Sequence, residues 1–147
     1  MSMREIKFRA KTLKEGKWIY GFYAHFVDSF RRRETHRIFS GMADSDPEDF
    51  FPDFEAVDPA TVGQFTGIQD IKGKDIYEGD VVRYRWTDER FKKNPRYTVG
   101  VVSWDEWDAG WSLEGFIRTS FRSERLEVLG NVHDMPNWKE MKEMKDE

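Results

Sequence analysis

Two carboxylates flank a glycine in the stretch GKDIYEGDVVRY, residues 73–84. Glu78 and Asp80 sit around Gly79, between Ile76–Tyr77 and Val81–Val82. Carboxylates at that spacing could share a proton or hold a cation, and they could equally build a turn. Gly79 suits a backbone position of positive φ. Asp80 can accept hydrogen bonds from nearby amides and fix the turn ahead of a strand. Ile76 and Tyr77 would enter that turn, and Val82 and Tyr84 would leave it on a core face. Both acids are therefore read as turn builders, with no catalytic or metal role.

Other residues capable of chemistry are scattered. His25, His36 and His133 lie far apart without paired ligand spacing, so no metal site is expected from them. The chain has no cysteine, which removes disulfides, thiolate zinc sites and cysteine nucleophiles together. There is no Gly-rich phosphate loop of Walker or dinucleotide type and no G-x-S-x-G elbow. Carboxylates are abundant, but abundance does not single out a glycosidase-type pair. Residues 43–58 hold seven acids, no basic residue and two prolines. They lack the ordered spacing and fixed glycine of an EF-hand loop, and read as a solvated surface loop. No catalytic, cofactor-binding or metal-binding residue is assigned.

Two basic stretches remain. Arg31, Arg32, Arg33 and Arg37 lie beside Phe30 and Phe39. Arg83, Arg85, Arg90, Lys92, Lys93 and Arg96 lie around Trp86 and Phe91. Basic residues interleaved with aromatics suit single-stranded nucleic acid, through charge and stacking. Arg83, Arg85, Trp86, Lys92 and Lys93 are the candidate contacts. A solvated strand face and loop would explain the same pattern.

The elements that must carry these residues are mostly strands. Apolar Ile6, Phe8 and Ala10 alternate with charged Glu5, Lys7, Arg9 and Lys11, the period of a strand with one buried face. Gly16 marks a hairpin turn. KWIYGFYAHFV follows, with Trp18, Tyr20, Phe22, Ala24 and Phe26 on one side and Ile19, Tyr23 and Val27 on the other. A strand apolar on both faces is expected to be covered on both, by the chain itself or by another subunit. Next come a basic cluster and a short apolar run, Ile38–Phe39. Pro47 and Pro52 exclude a regular ladder through the acidic loop.

In DPATVGQF, Asp58 can cap a helical turn, Pro59 suits its first position and Gly63 can end it. Val82, Tyr84 and Trp86 share one strand face, and Arg83 and Arg85 take the other. TDERFKKNPR reads as a polar loop. YTVGVVSW reads as a strand in which Gly100 marks a bulge or close contact. Trp111, Leu113, Ile117, Thr119 and Phe121 give a further alternating run, and Leu126, Val128 and Val132 another. Pro136 could open a terminal helix on which Trp138, Met141 and Met144 recur every third residue; its apolar stripe is narrow, so a short docked helix is expected. The fold class is mainly β: a small barrel or sandwich of short antiparallel strands, with a helical turn near 59–63 and a short C-terminal helix.

At 147 residues the chain fits one domain, with a division into two small β lobes (about 1–60 and 61–135) plus the C-terminal helix left open. A charged content of 35% and a net charge of −4 give no global basic field for nucleic acid or an anionic membrane. No apolar run approaches the length of a membrane span. No signal-peptide pattern is visible at the N-terminus, and a cytoplasmic protein is expected.

TVGQFTGIQDIKGKDIYEGDVV, residues 61–82, resembles the signature segment of the YopX family of phage and prophage proteins. REIKFRA followed by KWIYGFY resembles that family's opening hairpin, and VLGNVHDMPN its closing strand and terminal segment. Gly63, Gly67, Gly73, Gly79, Asp80 and Gly130 match the family pattern, and all read as architectural. The resemblance implies a small, largely β protein encoded by a phage or an integrated element. It brings no catalytic residues.

The expected function is that of a non-enzymatic accessory protein acting by binding, as a homo-oligomer and without a cofactor. The first alternative is a single-stranded nucleic-acid-binding module. The second is an enzyme with an unrecognised carboxylate site.

Overall fold

A computed structural model describes residues 3–40, 54–86, 96–113 and 122–143, with backbone only at 142 and 143. The chain divides into two compact units, Met1–Phe65 and Thr66–Glu147. Among the described residues its strands form two antiparallel sheets, with no closed barrel.

The first unit is built on a hairpin ladder. Strands β1 (Phe8–Lys11), β2 (Trp18–Asp28), β3 (Arg33–Phe39) and β4 (Phe54–Ala56) lie side by side in the order β4-β3-β2-β1. The first residues of β5 (Gly63–Gln69) pair on the other side of β1. Ala10, Ile38 and Val57 are fully buried at the core, with Phe8, Ile19, Tyr23 and Val62 packed on them. The expected turn is a single turn of 3-10 helix, Pro59–Thr61, capped by the Asp58 carboxylate, which accepts from the Ala60 amide at 3.0 Å. Gly63 does not end that turn; Val62 does, and Gly63 already belongs to β5.

Three expectations fail here for local reasons. β3 is a seven-residue strand where the sequence indicated a basic cluster and a two-residue apolar run. Its polar first half is held by the backbone ladder to β2, whose own side chains supply the apolar surface. The end of the acidic segment, Phe54–Ala56, is an edge strand on β3. The prolines remove ladder donors only at their own positions, and residues 41–53 lie outside the described residues. Arg9, assigned to a wet face, is 6% exposed, because its guanidinium lies over the Trp18 ring at 4.8 Å.

The second unit packs a sheet of β7 (Asp80–Arg85), β8 (Tyr97–Asp105), β9 (Gly110–Leu113) and β10 (Leu126–Asn131) in the order β10-β7-β8-β9. Strand β6 (Asp75–Tyr77) neighbours the end of β5. One face of the sheet buries Val82, Tyr84, Val102, Leu113 and Leu126 against Ile76. The other buries Val81 and Val99 under Trp138. That second cover explains why Val81 and Val82, adjacent and on opposite faces, are both fully buried. Gly100 is the expected close contact: a Cβ there would lie 3.3 Å from Leu113 Cβ.

The terminal helix is α1 (Glu140–Glu143), one turn only. Trp138 docks just ahead of it, 7% exposed; Met144 lies outside the described residues, as do Ile117, Thr119 and Phe121. No helix among the described residues is long and apolar enough to cross a membrane.

Candidate functional site

The acidic stretch resolves into architecture. Gly79 has φ +88. Its amide donates to the Val102 carbonyl at 2.9 Å, and its carbonyl accepts from the Val132 amide at 2.9 Å. One turn residue therefore ties β7 to β8 and to the segment after β10. Asp80 is 1% exposed and accepts from the Tyr77 amide at 2.8 Å, closing the turn on itself. The preceding turn uses the same device more fully. Asp70 Oδ1 accepts from the amides of Lys72 and Lys74, each at 2.9 Å, and Oδ2 accepts from the Val128 amide of β10 at 3.0 Å. Burial works to raise the Asp70 carboxyl pKa, but the three amides and the nearby Lys74 charge outweigh it and hold the group below the usual carboxylate value. Asp70 and Asp80 are buried carboxylates that hold turns, Asp70 through both of its oxygens and Asp80 through its bond to the Tyr77 amide.

The five candidate nucleic-acid contacts separate. Arg83 and Arg85 project from one face of β7 and border a shallow groove of about 130 Å³ with Tyr97, Arg125 and Glu127. Trp86 follows β7 in alternation with them and packs elsewhere, edge-on to Tyr84 at 5.2 Å with its indole N–H donating to Thr98 Oγ1 at 2.8 Å. Lys92 and Lys93, like Arg90 and Phe91, lie outside the described residues. Arg83 is engaged twice: its Nη2 meets Glu127 Oε2 at 2.6 Å, and its guanidinium lies 4.7 Å from the Tyr97 ring. Glu127 also accepts from Lys72 Nζ at 3.1 Å, and the Lys72 and Arg83 bonds together hold its pKa down. Arg125 Nη1 donates to the Tyr84 hydroxyl at 3.0 Å. Arg85 is exposed and Arg83 half-buried, and Trp86 is 39% exposed.

The β2–β3 hairpin presents the other candidate surface. The core-facing side of β2 is the Ile19–Tyr23 side, so the aromatic side faces outward. Tyr20 is 48%, Phe22 67% and Phe26 49% exposed. Phe26 and Phe39 pack on Phe54 at 5.7 and 4.0 Å, and Arg37 covers the Phe54 ring at 5.0 Å. Phe30, in the β2–β3 turn, is fully exposed. Among the described residues the chain covers the Ile19–Tyr23 side of β2 and leaves Tyr20, Phe22 and Phe26 on the other about half or more exposed; the sequence suggested cover on both sides, by the chain itself or by another subunit.

The same register produces a grouping that sequence spacing hides. His25 pairs directly with His36 across the hairpin. Their rings are parallel, with centroids 4.3 Å apart. Glu34, two residues before His36 on the same face, brings Oε2 to 3.6 Å from His25 Nε2 and 4.0 Å from His36 Nε2. The Tyr23 hydroxyl hydrogen-bonds His36 Nδ1. Knowledge that 18–28 and 33–39 form a ladder was the missing signal; His133 is not part of the group.

Comparison with known proteins agrees with this architecture. The YopX protein family model matches residues 7–138. The chain belongs to the YopX family. The fold is similar to the crystal structure of protein EF1440 from Enterococcus faecalis, with a TM-score of 0.54 over 92% of this chain and 98% of that one, at 19% identity. No curated protein matches in sequence.

Proposed function

We propose that this YopX-family protein acts by binding and not by catalysis, as a homo-oligomeric accessory protein of a phage or integrated element, working in the cytoplasm of its bacterial host. The observation that carries this reading is the outward face of β2. Tyr20, Phe22 and Phe26 leave about half or more of their surface in water on one continuous strand side. Apolar surface grouped in this way marks an interface more often than a bare surface, and a second copy of the chain offers the same aromatic side to it. The two well-buried turn carboxylates, Asp70 and Asp80, both accept from backbone amides, which fits a structural use of these acids.

Sedimentation velocity over a range of concentrations tests the assembly. Self-association is expected, and Phe22→Ser should weaken it by at least about tenfold, since burying a phenylalanine is worth about 1.5–3 kcal/mol and each tenfold is about 1.4 kcal/mol. A strict monomer at high concentration overturns the proposal.

The groove at Arg85, Arg125 and Tyr97 favours a second reading, contact with single-stranded nucleic acid through charge and stacking. Fluorescence anisotropy with labelled oligonucleotides at low salt should then show binding that falls steeply with added salt. No binding at low salt removes it.

A further inference from the structure

The face of the β2–β3 hairpin opposite the aromatic side is the core face, and it outruns the core. Tyr23 and Ile38 sit on the core. Beyond them the same side continues as His25 and Val27 on β2, and as His36 and Glu34 on β3. Two imidazoles and a carboxylate therefore meet where the hairpin emerges into solvent. Their ligand atoms all lie within 4.8 Å of one another. We infer that His25, Glu34 and His36 form a binding site for a divalent transition-metal ion of the zinc type, with water completing the coordination.

Donor chemistry and geometry both favour that class. Two neutral imidazole nitrogens and one carboxylate oxygen are a ligand set for zinc and its neighbours, not for magnesium or calcium. Donors at about 2.1 Å around a tetrahedral ion stand roughly 3.4 Å apart. Here Glu34 Oε2 is 3.6 and 4.0 Å from the two Nε2 atoms. The positive side chains of β3, Arg33 and Arg37, alternate onto the opposite face from Glu34 and His36, so they do not compete for the carboxylate there.

Tyr23 supplies the outer support that metal-binding histidines use. With Nε2 on the metal, Nδ1 carries the proton and donates it to the Tyr23 oxygen, which fixes the His36 ring. One movement is required. Parallel rings aim their in-plane lone pairs side by side, so a shared ion needs one ring to tilt. His25, 42% exposed at its side chain against 18% for His36, is the ring free to turn.

The test is titration of the chelator-treated full chain with Zn²⁺ by calorimetry and with Co²⁺ by visible absorption. One ion per chain is expected, with the absorption of nitrogen and oxygen ligands and a rise in melting temperature. His25→Ala and Glu34→Gln, both at exposed positions, should each lower affinity more than the loss of an outer-shell partner, which is about 10–100-fold. Tyr23→Phe should lower it within that range. A circular-dichroism melt without metal establishes that each variant is folded. Failure of Zn²⁺ and Co²⁺ to bind below millimolar concentration overturns the inference. So does binding that survives unchanged in a folded His25→Ala, Glu34→Gln double variant. The aromatic face and its self-association lie on the other side of the hairpin, so either result leaves that question to its own test.

Discussion

Asp70→Asn should be among the costliest single-atom changes in the second unit. The native carboxylate spends both oxygens: two turn amides on Oδ1 at 2.9 Å each and the Val128 amide on Oδ2 at 3.0 Å, with the residue 4% exposed. An asparagine can keep its carbonyl on one side only. If it stays on the Lys72 and Lys74 amides, its NH₂ meets the Val128 N–H, donor against donor. Leaving that buried N–H unpaired costs about 1–3 kcal/mol. The two surviving bonds lose their charge assistance, roughly half their strength. The sum is about 2–4 kcal/mol. For a chain of this length a loss of that size lowers the melting temperature by roughly 5–15 °C at neutral pH.

The effect should also depend on pH in a fixed direction. The folded Asp70 pKa lies below its unfolded value. In the window between them the unfolded chain binds the extra proton, so stability rises with pH there. The contribution is fully present above the ordinary aspartate value of about 3.9 and is lost as pH falls from there through the folded value. Asp70→Asn has no such proton to lose. The gap between wild type and variant should therefore narrow as urea melts are run from pH 5 towards pH 3. Glu127, also held low by its partners, acts in the same direction in both proteins and largely cancels. A variant that melts within a degree of wild type at pH 7, or a gap that does not change across that range, would refute the account of the Asp70 turn.

Two glycine substitutions test the remaining architecture. Gly79→Ala forces alanine to φ +88 and should cost about 1 kcal/mol or somewhat more. Glu78→Gln on the same turn should shift the melt much less, and equal, negligible shifts for both would sink the turn account of that stretch. Gly21→Ala is more severe. Gly21 has φ +154, and a Cβ there would stand 1.6 Å from the Phe39 carbonyl oxygen. Loss of more than about 3 kcal/mol, or failure of the first unit to fold, is expected; a near-native melt and near-ultraviolet circular dichroism would show that the β2–β3 contact is not as drawn.

How much of this could be read beforehand depends on whether a residue's surroundings are local in sequence. The Gly79 turn was legible because glycine's φ freedom and the acid's bond to an amide three residues back are both local. So was the Asp58–Pro59 cap. Strand β1 was legible from alternation, yet Arg9 on it was misplaced, because the ring that covers its guanidinium belongs to Trp18 across the hairpin. Strand β3 was invisible for the same reason. Glu34 to Arg37 contain no apolar alternation, and what makes them a strand is the ladder to β2. The helix of the C-terminal segment was expected from spacing at Trp138, Met141 and Met144. The docked Trp138 survives, and only Glu140–Glu143 is helical, as befits a segment too short to propagate.

The hairpin also explains why its two candidate functions stand or fall by register. Strand side chains alternate, so a slip of one residue exchanges the two faces of β2. Phe22 and Phe26 would then turn toward the core, and Tyr23 and His25 outward to the aromatic side. His25 would also leave its place opposite His36. The apolar pattern alone resists such a slip weakly, because β2 is apolar on both sides. Gly21 supplies the missing discrimination. Beside it the Phe39 carbonyl leaves room only for hydrogen. Any other residue of β2 placed there would bring a Cβ into that oxygen. The pairing of Phe22 with Phe39, and of His25 with His36, is the register that contact allows.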